Sequence, residues 1–264
     1  MSAAGRVRPE QTAWRDVSEV LSTGQRAPSG EFMGSIPVTD IGAAYQPIVR
    51  MATGSLFAYE VLARPRAALR LTPERLFELA SLHNACGRLG RLLRRLALPA
   101  CAGRAVFLNV HPEELVDRWI LQPDDPLFGH DNEVYLEITE SVPLTHFDLV
   151  RATLDELRSR GHVHLVVDDL GAGYSNLRRI ADLAPQIVKL DRCLVTGLDR
   201  NDRQYRLVRA VVRMCEDLGA EVVAEGIETL DELEAVRDAG AHYGQGFVLG
   251  RPASLPPPVI WHAR

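Results

Sequence analysis

Oxygen ligands stand at the ends of successive apolar runs in this chain. Glu60 follows Leu56-Phe57-Ala58-Tyr59, Glu137 follows Val134-Tyr135-Leu136, and Glu225 follows Val222-Val223-Ala224. Asp168 and Asp169 follow Leu165-Val166-Val167, and the amide of Asn109 closes Ala105-Val106-Phe107-Leu108. Each run reads as a short buried strand that ends in a ligand type instead of a turn residue. Brought to one mouth, these carboxylates would repel each other strongly. Divalent cations are the simplest remedy, so metal-assisted chemistry is the first expectation.

Taken singly, each residue keeps a structural alternative. Glu60 in an apolar run must be paired or metal-bound, because an isolated buried charge costs several kcal/mol; an ion pair to Arg64 is the alternative. Asn109 suits a hard cation or a strand-end cap, and His111 reads as a structural polar residue. Glu137 and Glu140 are three apart where a strand runs into a loop, so one faces the centre and the other caps or orients the loop. The segment Asp168-Asp169-Leu170-Gly171-Ala172-Gly173-Tyr174-Ser175 is the sharpest. Adjacent acids suit two cations roughly 3.5–4 Å apart, and the glycines permit close approach to a ligand. Lys189, flanked by apolar residues, must meet acid if it points inward, either as a salt bridge or to hold a nucleophilic water. Glu225 binds metal or water, and Gln245 between two glycines suits a substrate or water contact. No P-loop, H-E-x-x-H or Ser-His-Asp arrangement supports other mechanisms.

The elements that must position these residues alternate. Strands are expected at about 44–49, 55–61, 105–110, 133–138, 163–168, 186–190, 220–225 and 243–248. Helices fall between most of them: one starting at Thr72-Pro73, then Leu89–Leu98 with arginines on its outer face, Phe147–Arg158, Asp202–Leu218 and Leu230–Asp238. Gly161, Gly219 and Gly240 stand where the last three should stop. Eight strands alternating with helices in 264 residues predict a closed α/β barrel. Pro47 cannot donate to a ladder, so the first strand should pair abnormally. Thr53-Gly54 reads as a hairpin, so one of the first two strands should run against the rest. Residues 1–40 read as an arm, with a short helix over 11–21 and a linker over 22–35; residues 41–264 read as the barrel domain.

Composition is that of a globular protein, 46% apolar and 25% charged. The net charge of −5 argues against a duplex nucleic-acid partner. Cysteines 86, 101, 193 and 215 show no framework spacing and read as reduced thiols of a cytoplasmic protein. No run is long and apolar enough for a membrane span.

Together these motifs resemble the EAL-domain phosphodiesterases, which hydrolyse the bacterial messenger cyclic di-GMP to a linear dinucleotide. The resemblance is carried by Tyr45-Gln46-Pro47-Ile48-Val49, Glu60-Val61-Leu62-Ala63-Arg64, Asn109, Leu136-Glu137-Ile138-Thr139-Glu140, the Asp168–Ser175 segment, Lys189-Leu190-Asp191, Ala224-Glu225-Gly226-Ile227-Glu228 and Gln245-Gly246, over about residues 43–253. It implies a modified (β/α)8 TIM-like barrel with one antiparallel early strand. It also implies that Glu60, Asn109, Glu137 and Asp168 hold one Mg²⁺ or Mn²⁺ and Asp169 serves a second, with Glu225 acting near it. Lys189 would position the attacking water, and Glu140 would brace the loop after Asp169. Gln46, Leu62, Arg64, Gln245 and Glu228 would meet the substrate. A homodimer through the loop after Asp169 and a regulatory protein partner are further implications.

The chain departs from the family pattern at Val61, Leu170 and Ala172, and the valine is expected to crowd the site. A silent cyclic di-GMP receptor is the alternative reading. An enolase-like barrel also uses strand-end carboxylates and lysine, but it leaves no place for Asp168-Asp169, Gln46 and Arg64.

Overall fold

The computed structural model describes residues 40–66, 70–139, 146–172, 177–200 and 202–262. The arm over residues 1–39 and Glu140 lie outside the described residues. Eight strands, β1 (Ile41–Arg50), β2 (Leu56–Pro65), β3 (Val106–Asn109), β4 (Val134–Thr139), β5 (Val163–Leu170), β6 (Ile187–Leu190), β7 (Glu221–Ala224) and β8 (Tyr243–Gly244), close into one barrel in chain order. The helices are α1 (Pro73–Leu82), α2 (Cys86–Ala97), α3 (Pro112–Val116), α4 (Phe147–Ser159), α5 (Leu177–Leu183), α6 (Arg192–Val195), α7 (Arg203–Asp217) and α8 (Leu230–Asp238).

The reversed strand is β1. It is antiparallel to both β2 and β8, whereas every other neighbouring pair is parallel. Along β2 it pairs continuously from Ile41 to Ile48. On the β8 side it pairs only at Val49 and Arg50, then at Tyr45 with Ala253. Pro47 falls in the gap between these contacts. A residue without an N–H is tolerated there because the ladder is already interrupted.

A strand repeats every two residues, and this period sorts the barrel interior into two layers. Ile48, Ala58, Phe107, Tyr135, Val166, Ile187, Val223 and Tyr243, one from each strand, form an apolar floor. Phe107 stacks on Tyr135 at 4.6 Å and Tyr243 on Phe57 at 3.9 Å, so the floor is a packed plug. Two residues further toward the mouth stand Glu60, Asn109, Glu137, Asp168, Lys189, Glu225 and Gln245. On reversed β1 the step is two residues back, from Ile48 to Gln46. The intervening residues, including Tyr59, Val61, Leu108, Leu136, Val188 and Val222, point outward into the layer beneath the helices. Val61 is one of them, packed against that layer, and it also borders the space above the carboxylates.

The elements differ from the sequence reading in three places. The last strand ends at Gly244, because the chain folds into a turn in which Leu249 and Gly250 donate to Gly246 O. Helix α2 starts at Cys86, and its arginines are not all outward: Arg94 is buried, doubly bonded to Asp125 and singly to Glu114. The short α3, α5 and α6 escaped the periodicity, since fewer than eight residues do not define a face. The helix-ending glycines 161, 219 and 240 do take positive φ.

Candidate active site

The mouth layer converges on one ammonium. Lys189 Nζ lies 2.6 Å from Glu137 Oε1, 2.5 Å from Glu225 Oε1, and 3.3 Å from both Glu60 Oε1 and Asp168 Oδ1. Lys189 is 1% exposed. Burial alone would drive off its proton, but the surrounding acids outweigh burial and hold it well above the ordinary lysine range. The salt-bridge reading of Lys189 therefore describes this state, and Glu60 pairs with Lys189, not with exposed Arg64, whose Nη1 donates to Ala63 O.

The amides orient Glu60. Gln245 Nε2 donates to Glu60 Oε2 at 2.5 Å and to Gln46 Oε1 at 3.1 Å, and Gln46 Nε2 donates to Gly250 O. Asn109 also hydrogen-bonds Glu60. Burial raises the Glu60 carboxyl, but Lys189, Gln245 and Asn109 together hold it below the usual range. Burial pushes Glu137 and Glu225 well above that range and Asp168 above it, with neighbouring acids adding and Lys189 opposing.

Adjacent residues of a regular strand face opposite sides, yet Asp168 and Asp169 both reach the mouth. The β5–β6 register slips between Val167 and Leu170, and Asp169 takes φ +62° while its N–H donates to Asp168 Oδ1 at 2.9 Å. This bulge re-aims the second carboxylate. One oxygen each from Asp168, Asp169 and Glu225 then lies within 4.8 Å of the others.

Above the layer opens a cavity of about 380 Å³, within the size of small-molecule sites. Gln46, Glu60, Asn109, Asp168, Asp169, Lys189, Glu225 and Gln245 line it, and Glu137 lies deeper, 1% exposed. Leu62, Arg64 and Glu228 are on its rim, outside the hydrogen-bonded cluster. The sequence reading missed Arg192, Arg94 and Phe247 in the wall. Phe247 is 42% exposed with Arg251 over its ring at 4.3 Å, and an aromatic next to Gln245-Gly246 was the available signal.

A second group, Cys86, His111 and Glu113, also brings three ligand atoms together. His111 Nδ1, however, accepts the Glu113 backbone N–H as the N-cap of α3. A neutral ring in that role carries its proton on Nε2 and offers no second lone pair.

Residues 37–252 match the family model described as the EAL domain. The chain is 30% identical over 233 residues to the cyclic di-GMP phosphodiesterase NbdA of Pseudomonas aeruginosa, covering 80% of this chain and 29% of that protein. It is 32% identical over 225 residues to an uncharacterized protein of Azorhizobium caulinodans, covering 78% and 30%. The chain spans about a third of the length of the curated relatives it matches. Among solved structures, Klebsiella pneumoniae BlrP1 in a manganese and cyclic di-GMP complex superposes with TM-score 0.68 at 31% identity, covering 83% of this chain and 57% of that one. A calcium and cyclic di-GMP complex of the same protein gives 0.64 at 30% identity, covering 85% and 59%. The EAL domain of Mycobacterium smegmatis DcpA gives 0.66 at 31%, covering 80% and 92%.

Proposed function

The chain belongs to the EAL-domain family, and from that premise we propose that it is a divalent-cation-dependent phosphodiesterase that hydrolyses cyclic di-GMP to the linear dinucleotide pGpG. The observation that carries this reading is the convergence of Glu60, Glu137, Asp168 and Glu225 on a single lysine, with Asp169 beside Asp168 and Glu225. The donor set fits Mg²⁺ or Mn²⁺. It is all oxygen, and Glu137 Oε2 is buried with no hydrogen-bond partner among the described residues, as a ligand awaiting a cation would be. The relatives solved with manganese or calcium and cyclic di-GMP support the same choice.

Glu60, Asn109, Glu137 and Asp168 would hold one ion, and Asp169 with Glu225 a second. When bound, the ions acidify water toward neutral pKa and neutralise charge on the phosphoryl oxygens. Gln245 and Gln46 hold Glu60 in one rotamer, so the site is organised before substrate arrives. Lys189, displaced from some of its carboxylate partners, would donate to the attacking water and keep it in line. Arg64 at the rim would meet a phosphate, while Leu62 and Glu228 border the nucleoside. Water adds to phosphorus, one P–O ester bond breaks, and the leaving ribose oxygen takes a proton.

Incubating the pure chain with cyclic di-GMP and Mn²⁺ should give pGpG, and Glu60→Ala should abolish that product while keeping a folded circular-dichroism spectrum. Binding of cyclic di-GMP without turnover would make the chain a receptor; absence of binding would end the proposal. A homodimer through the loop after Asp169, and a barrel domain over 41–264 preceded by an arm, are part of the same reading. Light scattering that gives a monomer mass at all concentrations would remove the dimer. Residence in the cytoplasm is part of the same reading, and Cys86, Cys101, Cys193 and Cys215 form no disulfide. No helix among the described residues is long and apolar enough to cross a membrane.

A further inference from the structure

A buried charged triad stands at the cavity wall, to which Arg94 itself contributes, outside the carboxylate cluster. Arg94 on α2 donates from Nε to Asp125 Oδ1 at 2.9 Å, from Nη2 to Asp125 Oδ2 at 2.7 Å, and from Nη1 to Glu114 Oε2 at 2.8 Å. Arg94 is 2% exposed and Glu114 0%. The other Glu114 oxygen, Oε1, accepts the backbone N–H of His111 at 3.2 Å. His111 is two residues beyond Asn109, and β3 ends at Asn109. Gly90 brings α2 close enough for this contact: a Cβ there would lie 2.2 Å from Glu114 Oε2.

The amide of Asn109 has no charge to hold it, so its place against Glu60 depends on its backbone. Beyond the strand, that backbone is tied by Val110 N to Glu137 O at 3.0 Å and by His111 N to Glu114. We propose that Glu114, held by Arg94 across the glycine gap of α2, is a positioning residue: it anchors the β3 exit and so sets Asn109 where a cation needs it. This rests on the reading of Asn109 as a metal ligand. Outer partners that orient ligands commonly carry 10–100-fold of metal affinity.

The test uses Mn²⁺ alone, titrated into the pure chain and followed by the free-Mn²⁺ electron paramagnetic resonance signal. Glu114→Met removes the acceptor at similar length and is expected to weaken Mn²⁺ binding about 10-fold. Glu114→Gln keeps an acceptor for His111 N–H, as glutamine does at this position of a capping box, and is expected to recover most of the affinity. A merely structural role would lower the melting temperature of both and leave Mn²⁺ affinity unchanged, which would overturn the proposal. If Glu114→Met does not fold, Gly90→Ala asks the same question with every charge in place. It pushes a methyl group against Glu114 Oε2 and should weaken Mn²⁺ binding; unchanged affinity would again overturn the idea. A wild-type chain that binds no Mn²⁺ overturns both this inference and the metal site, whereas wild-type binding matched by the variants overturns this inference alone.

Discussion

Lys189 occupies the place where counter-charge is most needed, with carboxylates from four different strands or strand exits within 3.3 Å. Removing one member of a buried ionic group leaves the others uncompensated, at a cost of about 3–5 kcal/mol. Lys189→Met should therefore melt well below wild type in chelator, and Mn²⁺ should raise its melting temperature more than it raises that of wild type. Equal melting temperatures in chelator would contradict this. The raised carboxyls make a second prediction. Between their unfolded and folded pKa values the folded chain keeps protons that the unfolded chain has lost, so stability falls as pH rises through that window. Glu137, Glu225 and Asp168 act in this direction, and Glu60 in the opposite one. The metal-free chain should thus lose stability above the ordinary carboxylate pKa of about 4.3, and Mn²⁺ should restore it, because binding needs the deprotonated groups. Melting curves in chelator at about pH 5.5 and about pH 7.5 check it; no difference would contradict it.

Elements carry the site through their exits more than through their lengths. The apolar runs announce β3 to β7 because each is short, buried and ended by a polar residue. The bulge at Asp168-Asp169 was not legible, since alternation predicts that one of the pair faces away. The burial of Arg94 was equally hidden: its helix carries four arginines, and only the approach of Glu114 and Asp125 decides which one turns inward. The exit after β8 is packed as tightly. A Cβ on Gly246 would lie 2.0 Å from Ile227 O and 2.3 Å from Ile227 N, where backbone cannot yield cheaply. Gly246→Ala should therefore cost at least about 1–3 kcal/mol. It should also displace neighbouring Gln245 from Glu60. An unchanged denaturation midpoint would show that the exit loops can separate.

Across the whole molecule, the reversed first strand is completed by the end of the chain. Tyr45 exchanges backbone hydrogen bonds with Ala253, Tyr59 Oη donates to Pro257 O at 2.7 Å, and Ile260 N donates to Leu249 O. Trp261 covers the Gly54 turn. The segment after Arg251 thus substitutes for the β8 pairing that Pro47 interrupts. Truncation after Arg251 should lower the melting temperature by several degrees, since each lost hydrogen bond contributes about 1 kcal/mol and each kcal/mol is worth about 2–4 °C at this size. A truncated chain that melts with the full one would show β1 to be held by β2 alone.

The inward set of residues was determined by the sequence itself. A strand turns every second side chain to the same face, so a floor residue and the polar residue two positions on were bound to share the interior, with the sign of the step reversed on β1. Tertiary structure alone decided how those residues meet. The bulge sends Asp169 after Asp168, the closure of the barrel sets Lys189 among the acids, and the close approach at Gly90 buries Arg94 against Glu114. Those outcomes depend on distances between strands and helices far apart in the chain, which local periodicity does not carry.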